Sequence, residues 1–133
     1  MEKRNEIQMF TYVDGIDKAI AFYQEVFDTT FGETYKRKDG GYELAELRLS
    51  RGVSFWVAER KGISAIEGEV NTGNIMQMCV RYDKADVAKL EKAYEMLKKD
   101  AIHIKWELMK AAWTSHTCDL IDKYGIRWCL MVG

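Results

Sequence analysis

A strand-like run that stops at a turn and hands over to an amphipathic helix occurs twice in this chain. Each time, three further strand-like segments follow. In the first instance I-Q-M-F-T-Y-V (Ile7–Val13) ends at Asp14-Gly15, and D-K-A-I-A-F-Y-Q-E-V-F begins at Asp17. There Ala19, Ile20, Phe22, Tyr23, Val26 and Phe27 recur at helical spacing, and Asp17 is placed to cap the first turn. Thr29–Arg37, Tyr42–Leu49 and Val53–Glu59 then read as a meander with turns at Asp39–Gly41 and Arg51-Gly52, and a bulge near Ala45 would restore its alternation. In the second instance N-I-M-Q-M-C-V-R-Y (Asn74–Tyr82) precedes a helix over Asp83–Asp100, with Val87, Leu90, Ala93, Tyr94 and Leu97 as its apolar stripe. Ile102–Leu108, Trp113–Ile121 and Ile126–Val132 complete it.

The order is therefore βαβββ twice, over residues 1–60 and 74–133, with the polar, glycine-bearing stretch 61–73 as connector. A single module cannot bury its own sheet face. The expected architecture is α+β, two βαβββ modules forming a cup-shaped, partly open mixed β-barrel around a shared cavity.

Composition excludes several classes. Apolar residues make up 47% and charged residues 31%, with a formal net charge of -1. The longest basic cluster is Lys36–Lys38, too little for a nucleic-acid groove. No apolar run approaches the roughly 18 residues that span a bilayer, so no membrane partner is expected. The N-terminal M-E-K-R-N-E lacks a signal peptide's apolar core, and a cytoplasmic location follows by default. Cys79, Cys118 and Cys129 have no C-x-x-C spacing, which argues against a disulfide framework and a structural zinc site.

Two motifs carry a resemblance. A-I-A-F-Y-Q-E-V-F (Ala19–Phe27) resembles the A-x-x-F-Y-x-x-x-F signature of the vicinal-oxygen-chelate superfamily, which includes glyoxalase I, bleomycin-resistance proteins and extradiol dioxygenases. Trp113, followed by Asp122-Lys123-Tyr124-Gly125 and Trp128, is similar to the W-G-x(7)-D-x-F-G-x-x-W ending of the PhnB-like branch, with Thr114 where the branch has glycine. The resemblance covers nearly the whole chain. It implies one vicinal-oxygen-chelate domain over 1–133, a homodimer, and in active members a divalent metal such as Zn, Ni or Mn held by histidine and glutamate.

Carried across position by position, that metal pattern falls on Gln8, on Met76 or Gln77, near Val57 or Glu59, and on Cys129. Only Glu59 is a hard anionic donor, so no metal or other cofactor is expected. The methyltransferase label once attached to the branch finds no glycine-rich nucleotide loop after a strand.

The functional expectation is a small-molecule binding protein with an apolar, aromatic-lined cavity. Its candidate ligand-binding residues are Gln8, Phe10, Trp56, Met76, Gln77, Trp113, Trp128 and Cys129. The alternative is a divalent-metal-dependent glyoxalase-like lyase, isomerase or dioxygenase. Glu59 is the candidate catalytic base; a solvated strand-end carboxylate is the plainer reading of it. His116 and Cys118 share a strand face, but parallel side chains suit a nucleophile–base pair poorly. Asp122 and Gly125 are expected to shape the last hairpin turn, with Asp122 accepting from the following backbone amides.

Overall fold

The computed structural model describes residues 6–49, 53–62, 65–73 and 75–133. The predicted turn at Arg51-Gly52 and the strand start at Asn74 lie outside the described residues. The chain divides into two compact units, Met1–Glu67 and Gly68–Gly133, and the division falls within the polar stretch 61–73.

The first unit runs β1 (Phe10–Val13), α1 (Ile16–Phe27), β2 (Thr30–Lys36), β3 (Tyr42–Arg48) and β4 (Ser54–Glu59). Its sheet has the order β1-β4-β3-β2, with β1 parallel to β4 and the other pairs antiparallel. Alternation sends Val13, Ala45, Leu47, Phe55 and Val57 to one face, all buried. There α1 packs with Ile16, Ala19, Ile20, Tyr23 and Val26 buried, and Phe55 meets Tyr23 edge-on with ring centroids 5.7 Å apart.

The start of α1 differs from expectation. Gly15 precedes the helix at φ 78, a left-handed conformation that glycine adopts without Cβ strain. Asp17 lies inside the first turn and does not cap it. Its carboxylate accepts from the Tyr42 backbone N–H (2.9 Å) and from Arg37 Nη2 (2.8 Å), tying the helix to the β2–β3 hairpin. Those two bonds hold the Asp17 carboxyl below the usual range. Glu59 supplies the helix-start acceptor instead.

β3 carries an extra residue at Glu43, between the pairs Tyr35↔Leu44 and Lys36↔Tyr42, two residues ahead of the Ala45 position expected for the bulge. Pairing of β3 with β4 is continuous from Leu44 to Arg48, so Ala45 is regular. A second irregularity in the β2–β3 pairing falls where Phe31 faces Leu47 and Thr34 faces Ala45. Its extra residue is on β2, at Gly32–Glu33. A side chain at Gly32 would collide with the Glu46 carboxylate, and the Glu33 N–H donates to Glu46 Oε1 at 3.1 Å.

The second unit runs β5 (Met78–Tyr82), a 3-10 turn (Lys84–Asp86), α2 (Val87–Lys98), β6 (His103–Ala111), β7 (Thr114–Ile121) and β8 (Arg127–Val132). The sheet order is β5-β8-β7-β6, with β5 parallel to β8. The helix predicted from Asp83 starts later because the Asp83 side chain accepts from the Ala85 N–H (3.1 Å) and winds a 3-10 turn first. Leu90, Ala93, Tyr94 and Leu97 of α2 are buried, as are Cys118, Leu120, Trp128, Leu130 and Val132 on the strands it packs against.

The β7–β8 turn follows the sequence expectation. Asp122 Oδ1 accepts from the Tyr124 N–H (2.8 Å) and the Ile126 N–H (3.1 Å), and Gly125 takes φ 87. Asp122 Oδ2 additionally accepts from Trp128 Nε1 at 2.9 Å, so a fully buried carboxylate locks turn and core together.

Candidate functional site

In the first unit, the face of the sheet away from α1 carries Phe10, Trp56, Ala58, Leu44 and Glu46, set by the pairs Phe10↔Trp56, Leu44↔Ala58 and Glu46↔Trp56. Phe10 stacks on Trp56 with centroids 5.2 Å apart and planes at 11°. Phe10 and Tyr12 are exposed, yet Trp56 is only 5% exposed. The Trp56 Nε1–H is buried and has no hydrogen-bond partner among the described residues. An unpaired buried donor of this kind costs roughly 1–3 kcal/mol.

Glu46 sits beside this aromatic step. Its Oε2 accepts from Ser54 Oγ at 2.7 Å, and its Oε1 accepts from the Glu33 N–H and from Arg48 Nη2 at 3.3 Å. The Ser54 bond, more than the others, holds the Glu46 carboxyl below its ordinary value despite burial. It is a fixed anion, unsuited to take up a proton near neutral pH. Gln8 is exposed and donates from Nε2 to Glu6 Oε1 at 3.0 Å.

Glu59 lies elsewhere. The pair Val13↔Glu59 puts it on the α1 face, at the end of β4 beside the helix start. Its Oε1 accepts from the N–H groups of Gly15 (3.2 Å) and Ile16 (3.3 Å). A carboxylate there satisfies otherwise orphaned amides and the positive end of the helix. Glu59→Ala is expected to cost about 1 kcal/mol, the usual value of a helix cap. Urea unfolding followed by circular dichroism measures it, and an unchanged midpoint would remove the capping role.

In the second unit, the face away from α2 carries Gln77, Cys79, Trp106, Thr117, Asp119, Arg127, Cys129 and Met131. It follows from the pairs Cys79↔Cys129, Asp119↔Cys129, Thr117↔Met131 and Trp106↔Asp119. Asp119 anchors this face. Arg127 grips it through Nε (2.9 Å to Oδ1) and Nη2 (2.7 Å to Oδ2), and Gln77 Nε2 donates to Oδ1 at 2.9 Å. The Arg127 bonds, foremost, keep the Asp119 carboxyl below its ordinary value. Alternation did not reveal this triad, because it joins β7 and β8 to the residue just ahead of β5, and each member alone reads as a surface residue.

The two thiols of this face are neighbours. Although Cys79 is exposed as a residue, partial desolvation of its sulfur first, then the charge and hydrogen bonding of Cys129, push its thiol up to about 11. The Thr117 hydroxyl lies 3.8 Å from Cys129 Sγ. Cys118 sits on the opposite, helix-packed face, where burial pushes its thiol up to about 12. Spacing along the sequence separates Cys79 from Cys129, and only the parallel β5–β8 register brings them together.

The remaining candidates separate. Trp128 points with Leu130 and Val132 into the α2-packed core, because alternation along β8 opposes it to Cys129. Trp113 was expected on a strand but lies in the β6–β7 turn, 61% exposed, with its ring 6.2 Å from that of Trp106. Met76 is exposed ahead of β5, and His116 Nδ1 is 2.9 Å from the adjacent Ser115 hydroxyl.

No protein-family model matches the sequence, and no curated protein matches it. Solved structures do match its coordinates. A PhnB protein from Bacillus cereus, labelled as a 3-demethylubiquinone-9 3-methyltransferase, superposes with TM-score 0.76 at 20% identity, over 97% of this chain and 100% of that one. A glyoxylase/bleomycin resistance protein/dioxygenase domain from Frankia sp. superposes with TM-score 0.67 at 16% identity, covering 99% and 93% of the two chains. The chain has the glyoxalase/bleomycin-resistance fold. FosX, a fosfomycin resistance protein of Listeria monocytogenes, shares it at TM-score 0.66 and 13% identity, over 99% of this chain and 95% of that one.

That fold is the one the repeated βαβββ order implied, with a four-stranded mixed sheet and one long helix in each unit. The divalent metal associated with it can be tested against the residues present. At the implied positions stand the amide of Gln8, Met76 or the amide of Gln77, Val57 or Glu59, whose Oε1 is taken by the start of α1, and the thiol of Cys129. Such a donor set does not suit a hard divalent ion, which prefers carboxylate and imidazole. Among the described residues, no three His, Cys, Asp or Glu side chains are grouped to hold one.

Proposed function

We propose that this chain is a small-molecule binding protein that holds a flat organic ligand against the Phe10–Trp56 aromatic step without a resident divalent metal. The observation that carries the reading is the buried, unpartnered Trp56 Nε1–H beside exposed aromatic surface. Aromatic faces supply contact area to a planar ligand. A ligand whose binding uncovers the buried indole N–H would supply the acceptor it lacks, and the fixed carboxylate of Glu46 favours ligands whose nearby edge is neutral or cationic.

The test uses the purified chain with anilinonaphthalene sulfonate and a panel of neutral and cationic planar aromatics, read by tryptophan fluorescence and thermal shift. Binders from the panel are expected to raise the melting temperature. Trp56→Phe, which keeps the ring but removes the donor, is expected to weaken acceptor-bearing ligands about tenfold, one net hydrogen bond. Phe10→Ala should weaken all planar ligands. Tight stoichiometric uptake of Zn, Ni or Mn, with thermal stabilisation and turnover, would replace this reading with that of a metal-dependent glyoxalase-like enzyme.

A further inference from the structure

We propose that Cys79 and Cys129 form a two-thiolate site for a soft d10 cation of the copper(I) type, on the face of the second sheet away from α2. The two residues are direct partners in the parallel β5–β8 pair, so their side chains leave the sheet side by side. Adjacent strands lie about 4.8 Å apart. Two metal–thiolate bonds laid end to end, each roughly 2.3 Å as for zinc, span about the same distance. The register thus fits a sulfur–metal–sulfur bridge with little movement of the backbone.

The surroundings decide which ion. Asp119 faces Cys129 from β7, but its oxygens are engaged by Arg127 and Gln77. The Thr117 hydroxyl beside Cys129 is a weak donor, and Met131, on the same face, offers a soft thioether; among the described residues no three His, Cys, Asp or Glu side chains are grouped to hold an ion. Two sulfurs without further strong ligands leave zinc short of the four it requires, whereas soft thiolates select copper(I). Binding exchanges two S–H bonds for two metal–sulfur bonds; two protons leave to solvent and no oxidation state changes. A disulfide would instead need the sulfurs about 2.05 Å apart and an oxidant. The copper(I) reading does not rest on the aromatic step of the first unit.

The experiment titrates the reduced full chain with copper(I) under anaerobic conditions against bathocuproine disulfonate. One equivalent is expected to be held in competition with the chelator. Cys79→Ser and Cys129→Ser should each weaken it beyond the roughly hundredfold cost of losing a mere supporting partner, while Cys118→Ala should leave it unchanged. Alkylation of the unmutated protein gives a readout free of folding effects: copper(I) should shield Cys79, which is exposed in the free chain. Complete stripping by the chelator, unweakened binding by Cys79→Ser, equal alkylation of Cys79 with and without copper(I), or recovery of a Cys79–Cys129 disulfide that glutathione leaves intact would each overturn the proposal.

Discussion

Asp122→Ala is expected to destabilise the protein by about 3–5 kcal/mol, the range for removing one side of a buried charged hydrogen-bond cluster. The carboxylate is fully buried and accepts from two backbone N–H groups of the β7–β8 turn and from the Trp128 indole. Alanine leaves three donors without this partner in a space water does not fill, each at roughly 1–3 kcal/mol if unrelieved. Asp122→Asn separates the contributions. Its single oxygen serves either the turn amides or the indole, so a loss of about half is expected. Urea midpoints followed by tryptophan fluorescence measure both. A midpoint for Asp122→Ala within experimental error of the unsubstituted chain would refute the account.

Arg127→Leu is the second large effect, with a distinctive pH dependence. It strands the Asp119 carboxylate, whose side chain is 9% exposed, and leaves it the Gln77 amide as side-chain donor among the described residues. Breaking a fully buried pair costs about 3–5 kcal/mol; Arg127 is itself 29% exposed, so about 2–3 kcal/mol is expected at neutral pH. The folded-state pKa of Asp119 is lowered, chiefly by Arg127. Its stabilisation is therefore complete above the unfolded carboxyl value, near 3.9, and is lost as pH falls through the lower folded value. Without Arg127, burial favours the protonated acid, and acid no longer removes stabilisation at this site. The gap between the two proteins should therefore narrow from pH 7 to pH 3. Equal gaps at both pH values would show that the ion pair is not its source.

Much of the fold is legible because it rests on local signals. The helix periodicities, the glycine turns and the repeated element order each depend on a few adjacent residues, and the Asp122 turn follows from side-chain reach alone. What sequence does not display is anything set by parallel pairing or by an irregular strand. Asp17 has the chemistry of a helix cap, but Glu59 arrives at that place only because β4 runs alongside β1. The irregular alternation of Tyr42–Leu49 reflects an extra residue at Glu43 and apolar side chains on both faces, Leu44 on one and Leu47 on the other. On the candidate sites, Phe10 and Trp56 come together as alternation allows, whereas Trp128 turns to the core and Trp113 to a turn. The Cys79–Cys129 pair depends on register between strands distant in the chain, and the Gln77–Asp119–Arg127 triad adds a residue from ahead of β5 to an ion pair across the β7–β8 hairpin.

In both units the first strand is joined to the last by a parallel pair, β1 to β4 and β5 to β8, while the strands between form antiparallel hairpins. This imposes an order on assembly. The hairpins close short loops and can form early, whereas each leading strand must wait for the far end of its own module. During synthesis β1 emerges first and stays unpaired until β4 has been made. Throughout that interval its apolar edge is open to any strand of the right pattern, including β8 of a neighbouring nascent chain. Strand exchange between copies is thus the characteristic misfolding hazard of a duplicated module, and it is greatest when many ribosomes translate the message at once.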